Sequence, residues 1–315
     1  MENKPKKLIY LGPRNTQGLI RKNLENFEIY FPSNEIELKK ILKSINVIFD
    51  ASMEIEFNEE ILKDAINLEL FITATTGFSH IDINYLSTKN IPLKTLGDQK
   101  EFLNQITPAA ELSWLLLMMC ARKVLSAVNS VKIGDWDRTE HPGEMLNGKK
   151  LGIIGLGRLG KWMSRYGNAF GMQCYGYDPF NDEQIKNLER KTLEEIVEIC
   201  DFISLHVNYK PGDLKIITAK HFKLMKKGAI FINTSRGELV DEKALIEALK
   251  DGTLSGIGVD VLSGEPDIKN NELFKLRNSN LNLVITPHIG GFCEEVLLKV
   301  LTFTSNRIIE FFKND

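Results

Sequence analysis

Short apolar runs with strand character recur along the chain, with helix-patterned stretches between them. In the first third these runs are KLIYLG, FEIYF, NVIFDAS, LELFITATTG and IPLKTLG, and FNEEILKDAIN between the third and fourth reads as a short helix. Alternating strand and helix signals predict a parallel α/β layer rather than an all-β sandwich. This first lobe takes in residues 1–105. A long apolar-faced helix is predicted over about residues 108–129, with Thr107 as its N-cap. The stretch SVKIGDWDRTEHPGEMLNG that follows has little periodicity and reads as an extended arm, in which Trp136 calls for cover by another lobe or subunit.

From Lys149 the alternation becomes regular: KKLGIIG, MQCYGYD, DFISLHV, AIFINTS, TLSGIGVDVL and NLVITPHIGG are strands separated by helical patterns. Helix and strand signals at this spacing predict a doubly wound parallel sheet. The tail EEVLLKVLTFTSNRIIEFFKN is a long amphipathic helix.

Composition narrows the function classes. At 315 residues the chain has room for two domains of about 150 each. Forty Lys+Arg against forty-two Asp+Glu leave a net charge of -2, which gives no broad attraction to nucleic acid or anionic lipid. The longest apolar stretch, Leu112–Cys120, is too short to span a bilayer. The N-terminus has no secretory pattern, and four scattered cysteines without a CxxC read as reduced thiols of a cytoplasmic protein. No metal site is expected.

Gly155-Leu156-Gly157-Arg158-Leu159-Gly160 follows the strand LGII directly and opens a helix. The first glycine permits a tight turn, the second lets backbone approach a pyrophosphate, and the third lets helix and sheet close together. Twenty-three residues after Gly155, Asp178 ends the next strand. A carboxylate there accepts from both ribose hydroxyls and repels a 2′-phosphate, and the next residues are Pro179, Phe180 and Asn181 rather than a cation. NAD(H) is therefore expected over NADP(H). A glycine-rich turn serving another ligand, or a capping role for Asp178, is the plainer alternative.

Three ionisable residues fall at predicted carboxyl ends of strands: Arg236 in FINTSRGELVD, Glu265 in GVDVLSGEP and His288 in LVITPHIGG. Open α/β sheets place ligands there. A guanidinium can pair with a substrate carboxylate, an imidazole can exchange the hydroxyl proton, and a carboxylate beside it can fix its tautomer. Singly, each is equally a surface charge, a loop acid or a structural histidine.

NTSRGELVDEKALIEAL, GVDVLSGEP, TPHIGG and GKKLGIIGLGRLG together resemble the D-isomer-specific 2-hydroxyacid dehydrogenase family, over nearly the whole chain and most strongly from 108 to 292. The resemblance implies two Rossmann-like lobes with the cofactor domain inserted in the substrate-binding lobe: 106–287 for NAD, and 1–105 plus 288–315 for substrate. It implies Arg236 as substrate-binding arginine, Glu265 as orienting acid and His288 as acid/base. Asp260 and Thr234 match positions near the cofactor, and Thr107 and His206 are further candidates for its cleft, with capping or strand-end roles equally open. It also implies a homodimer joined through residues 130–147, and a small 2-hydroxy or 2-oxo acid as substrate.

The sequence departs from the family's form in the substrate loop, Thr75 to Asp82. There Thr75 replaces a glycine and His80 an asparagine, and backbone N–H groups of Thr76, Gly77 and Phe78 would bind the substrate carboxylate. A structural or solvent-facing role is expected for His80. LGDQKEFLNQITPAAE and HVNYKPGD are also atypical and point to a less characterised branch. Glu265, where formate-oxidising members carry glutamine, disfavours formate. No Arg/Lys cluster accompanies the substrate loop, which weakens a phosphorylated substrate, and an end at residue 315 leaves no room for a regulatory domain. A short phosphoglycerate- or hydroxypyruvate-type dehydrogenase and a NADH-responsive, co-repressor-like binding protein are the alternatives.

Overall fold

A computed structural model describes residues 4–78, 80–210 and 212–313. Ser79, inside the expected substrate loop, and Pro211, in the HVNYKPGD run, lie outside the described residues. The chain forms two compact units, residues 1–106 with 293–315 and residues 107–292.

The first unit holds a five-stranded parallel sheet built from β1 (Lys7–Leu11), β2 (Glu28–Tyr30), β3 (Val47–Asp50), β4 (Leu70–Thr73) and β5 (Leu93–Lys94), in the order β2-β1-β3-β4-β5. Side chains alternate between faces as a pleated strand requires. Ile9, Ile48 and Phe71 enter one core cluster, while Leu8, Tyr10, Val47, Phe49 and Leu70 enter another on the opposite face. The C-terminal helix Glu294–Lys313 supplies Leu301 and Ile308 to that second cluster, which returns the chain end to the first unit.

The second unit is a seven-stranded parallel sheet: β6 (Lys150–Ile154), β7 (Gln173–Tyr177), β8 (Leu188–Arg190), β9 (Phe202–Leu205), β10 (Ala229–Asn233), β11 (Leu254–Val259) and β12 (Leu283–Ile285), ordered β12-β11-β10-β9-β6-β7-β8. Phe231 packs on one face with Ile203 and Ile257, and Ile230 and Ile232 on the other with Leu151 and Phe202, so both faces are covered. The strand order reverses between β6 and β9, which opens the crevice where doubly wound sheets bind ligands.

Four local expectations are corrected. The predicted inserted domain 106–287 ends at 292 instead, because Asp260 holds residues 288–290 to the second unit by hydrogen bonds. The single helix expected over 108–129 is two, Pro108–Ala121 and Val124–Lys132, broken where Lys123 takes the left-handed φ of 49°. The expected arm is therefore helical as far as Lys132 and irregular beyond it, apart from a 3-10 turn at Arg138–Glu140. Thr107 stands at the helix start but makes no side-chain cap; its hydroxyl donates to Glu111 Oε1 at 2.5 Å. Strand β8 carries too short an apolar run to have been read from sequence.

Candidate functional site

Gly155 directly follows β6 with φ +92°, and a Cβ built on it would stand 2.4 Å from the carbonyl oxygen of His206, so only glycine fits. A Cβ on Gly160 would stand 2.0 Å from the carbonyl oxygen of Gly155, which is how closely the helix Arg158–Ala169 sits on the turn. Gly157 is the reverse case: a Cβ there meets no atom within 4 Å. Arg158 and Leu159 form the first turn of that helix, and Gly157, lacking a side chain, leaves its N-terminus uncapped. Open space over the middle glycine, set against a helix N-terminus, fits a dinucleotide pyrophosphate.

Asp178 lies just beyond β7. Its carboxylate accepts from the backbone N–H of Leu156 at 2.8 Å and of Phe180 at 2.9 Å, which ties Asp178 to the glycine turn. Beside it is an open hollow of about 390 Å³ lined by Tyr177, Asp178, Arg190 and Lys191. Arg190 donates to the carbonyl oxygens of Asp178 at 3.4 Å and Glu183 at 2.9 Å, and its Nε is buried without a partner among the described residues. Sequence reasoning looked for a cation in the residues directly after Asp178. Edge strand β8 brings one from twelve positions away.

The remaining cofactor candidates have immediate tasks within the unit. His206 is buried, with Nε2 2.7 Å from the Ser204 hydroxyl, and burial pushes its pKa down to about 3, so the ring is neutral. The Thr234 hydroxyl pairs with that of Ser113 at 2.6 Å. Where sequence placed Asp260 near the nicotinamide, the carboxylate is only 2% exposed. It accepts from Thr286 Oγ1 at 2.5 Å and from the backbone N–H groups of Ile289 and Gly290 at 2.9 and 2.7 Å. Its structural work is to fold the turn that carries His288.

The three reactive candidates lie at the ends of neighbouring strands β10, β11 and β12. A hydrogen-bond chain joins the backbones of Arg236 and His288: Asn233 Nδ2 donates to the Arg236 carbonyl, Asp260 N–H to that of Asn233, and His288 N–H to that of Asp260. His288 takes the left-handed φ of 52°, costly for a non-glycine residue and sustained by that network. Its Nδ1 lies 2.7 Å from Glu265 Oε1, and its side chain is 45% exposed. With the proton on Nδ1 directed to Glu265, Nε2 is the atom left for exchange. Arg236 donates to the carbonyl of its neighbour Ser235 and has no carboxylate partner among the described residues.

In the first unit the Thr75 hydroxyl donates to the Gly77 carbonyl, while the N–H groups of Thr76, Gly77 and Phe78 meet no acceptor among the described residues. His80 is tied elsewhere: its Nε2 is 2.7 Å from Oδ2 of Asp50, a carboxylate 1% exposed. Asp50 escaped sequence reasoning although it ends β3 at the carboxyl side, the position that singled out Arg236 and His288.

Comparison with known proteins agrees with this geometry. A family model described as D-isomer specific 2-hydroxyacid dehydrogenase, NAD binding domain, matches residues 114–290, and its catalytic-domain companion matches 8–98. A glyoxylate reductase from Thermococcus litoralis is 36% identical over 269 residues, covering 82% of this chain and 78% of its own. A D-3-phosphoglycerate dehydrogenase from Methanocaldococcus jannaschii is 35% identical over 276 residues, 86% of this chain; the chain spans about half (51%) of that relative's length. The solved D-lactate dehydrogenase from Aquifex aeolicus, complexed with NAD and lactic acid, is similar with a TM-score of 0.86 at 27% identity, covering 98% of this chain and 96% of its own. With its two units matched in turn by the two halves of one family, the chain belongs to the D-isomer specific 2-hydroxyacid dehydrogenases, NAD(H)-binding oxidoreductases.

Proposed function

We propose that the protein interconverts an unphosphorylated D-2-hydroxy acid and its 2-oxo acid with NAD(H). The observation that carries this reading is the His288–Glu265 pair at 2.7 Å, with the guanidinium of Arg236, which has no carboxylate partner among the described residues, on the next strand but one. Arg236 binds the substrate carboxylate and polarises the adjacent carbonyl. His288 gives its Nε2 proton to the carbonyl oxygen in reduction and takes the hydroxyl proton in oxidation. Glu265 holds the ring's tautomer and stabilises the imidazolium. A nicotinamide dinucleotide held by the Gly155–Gly160 turn and Asp178 would supply the hydride in reduction and take it up in oxidation. Within the first unit, the N–H groups of Thr76, Gly77 and Phe78 are of the kind that binds a carboxylate.

Names among the relatives include glyoxylate reductase, hydroxypyruvate reductase and D-3-phosphoglycerate dehydrogenase. The segments 50–56 and 75–82 contain no Lys or Arg, which supports the unphosphorylated acids. We also propose a homodimer formed through the helix Val124–Lys132 and the arm after it. No residue of that helix is buried, and Trp136 is 88% exposed.

The test is NADH oxidation with glyoxylate, pyruvate, hydroxypyruvate, phosphohydroxypyruvate and larger 2-oxo acids, with NADPH controls. Saturable turnover on an unphosphorylated acid is expected, reduced about 10²–10⁴-fold in His288→Ala. Silence across the panel with NADH demonstrably bound would favour the binding-protein alternative, and a marked preference for phosphohydroxypyruvate would overturn the substrate class.

A further inference from the structure

The loop that presents Glu265 is held by two other acids. Glu242 opens the helix Glu242–Lys250, and its half-buried carboxylate points away from that helix into the LSGEP turn. Oε1 accepts the backbone N–H of Ser263 at 2.8 Å, and Oε2 accepts Nδ2 of Asn271 at 2.7 Å. Asn271 closes the circuit: the same Nδ2 donates to the Ser263 carbonyl at 3.1 Å, and its Oδ1 caps the helix Glu272–Lys275 by accepting from Phe274 N–H. One residue on, the Gly264 N–H donates to Glu238 Oε1 at 3.2 Å. Backbone packing enforces the contact, since a Cβ on Gly237 would stand 2.1 Å from the Ser263 nitrogen.

Arg236 immediately precedes this 237–242 segment, and Glu265 immediately follows the turn it grips. One circuit therefore fixes the guanidinium's strand end relative to the acid that orients His288. We propose that Glu242, through Ser263 and Asn271, is the positioning residue that sets the Glu265–His288 geometry, with Glu238 as its auxiliary. The inference rests on the reading of His288 and Glu265 above. Burial raises the Glu242 carboxyl's pKa; the Ser263 and Asn271 hydrogen bonds oppose this, Glu238 adds to it and Lys215 lowers it. The charged groups facing the circuit are thus Glu238 and Lys215, and His288 itself faces Glu265.

The test uses Glu242→Gln, which keeps the shape. It turns a donor toward Asn271 Nδ2, whose Oδ1 is already committed. The second variant, Glu242→Gln with Asn271→Asp, exchanges amide and carboxylate, keeps the net charge and restores the donor–acceptor pairing between positions 242 and 271, at the loss of the bond from Asn271 to the Ser263 carbonyl. The ¹⁵N shifts of the His288 ring report its tautomer without substrate, the His288→Asn protein supplying the assignment. We expect Glu242→Gln to lose the enrichment of the Nδ1–H tautomer and, on an active substrate, to lower kcat about tenfold with KM little changed; the double variant returns part of both. Unchanged ring shifts in Glu242→Gln, alongside a change in Glu265→Gln, would overturn the proposal. So would a shift that the double variant leaves undiminished, since the pairing of positions 242 and 271 would then carry none of it. Because the shifts need no turnover, failure of the substrate panel bears on the proposed function and leaves this test intact. Circular dichroism melts of each variant separate loss of the circuit from loss of the fold.

Discussion

The backbone N–H of His288 donates to the carbonyl oxygen of Asp260 at 2.9 Å, so the imidazole hangs from the end of β11 as well as from its own strand. The side chain of the same aspartate gathers Thr286, Ile289 and Gly290 around it. This buried acid is the centre of the network that sustains the left-handed backbone of His288.

Replacing Asp260 with Asn should therefore act on both stability and turnover. An amide in place of one carboxylate oxygen faces a backbone donor with another donor, at a cost of about 1–3 kcal/mol. Denaturant melts should show that loss, and kcat should fall more than KM rises. A variant with wild-type stability and wild-type kcat would remove Asp260 from its supporting place.

Asp178 and Arg190 together set a second expectation. Asp178→Ala should weaken NADH binding and raise the ratio of NADPH to NADH efficiency, because the 2′-phosphate no longer meets a carboxylate and finds Arg190 nearby. Adding Arg190→Ala should cancel the gain for NADPH. The measurement is kcat/KM for the two cofactors across the three proteins, and an unchanged ratio in Asp178→Ala would exclude the carboxylate from cofactor choice.

His206 predicts acid sensitivity of the second unit. Burial places its folded pKa at about 3, below the ordinary value of 6.5, so the unfolded chain binds the extra proton first. The neutral ring's contribution to stability is complete above about pH 6.5 and is lost progressively as pH falls toward 3. Melting temperature between pH 7 and pH 4.5 should drop less in His206→Gln than in wild type, after each is referenced to its own pH 7 value. Parallel curves would show that this ring does not carry the dependence.

Association through Val124–Lys132 gives a fourth. Val128 and Val131 are exposed on that helix and Ile133 just beyond it, an apolar surface unusual for a monomer. Val128→Glu should shift the sedimenting species from dimer toward monomer and leave the secondary structure intact. Wild-type protein that sediments as a monomer at micromolar concentration would dispose of this interface.

The fold and the outline of the site were legible in the sequence, for specific reasons. Strands buried on both faces read as unbroken apolar runs, so Lys150–Ile154 and Ala229–Asn233 stood out. Strand β8, three residues with a charged pair, carries no such signal. The break at Lys123 was equally hidden, because the apolar pattern of the two helices continues across a residue whose backbone alone turns.

The sequence by itself determined the glycine turn and the candidate reactive residue types, because steric demands admit only glycine at Gly155 and Gly160 and because the proposed chemistry admits few substitutes for Arg236 and His288. Tertiary structure decided which acid does what. Asp260, Glu242, Asp50 and Glu265 look alike as carboxylates along the chain. Folding buried Asp260 under the His288 turn, spent Glu242 on Ser263 and Asn271, and paired Asp50 with His80. Glu265 alone among them it set beside the ring of His288. A hydrogen bond depends on ångström-scale separation between residues tens of positions apart, and that separation is fixed by strand order and turn packing rather than by any local pattern.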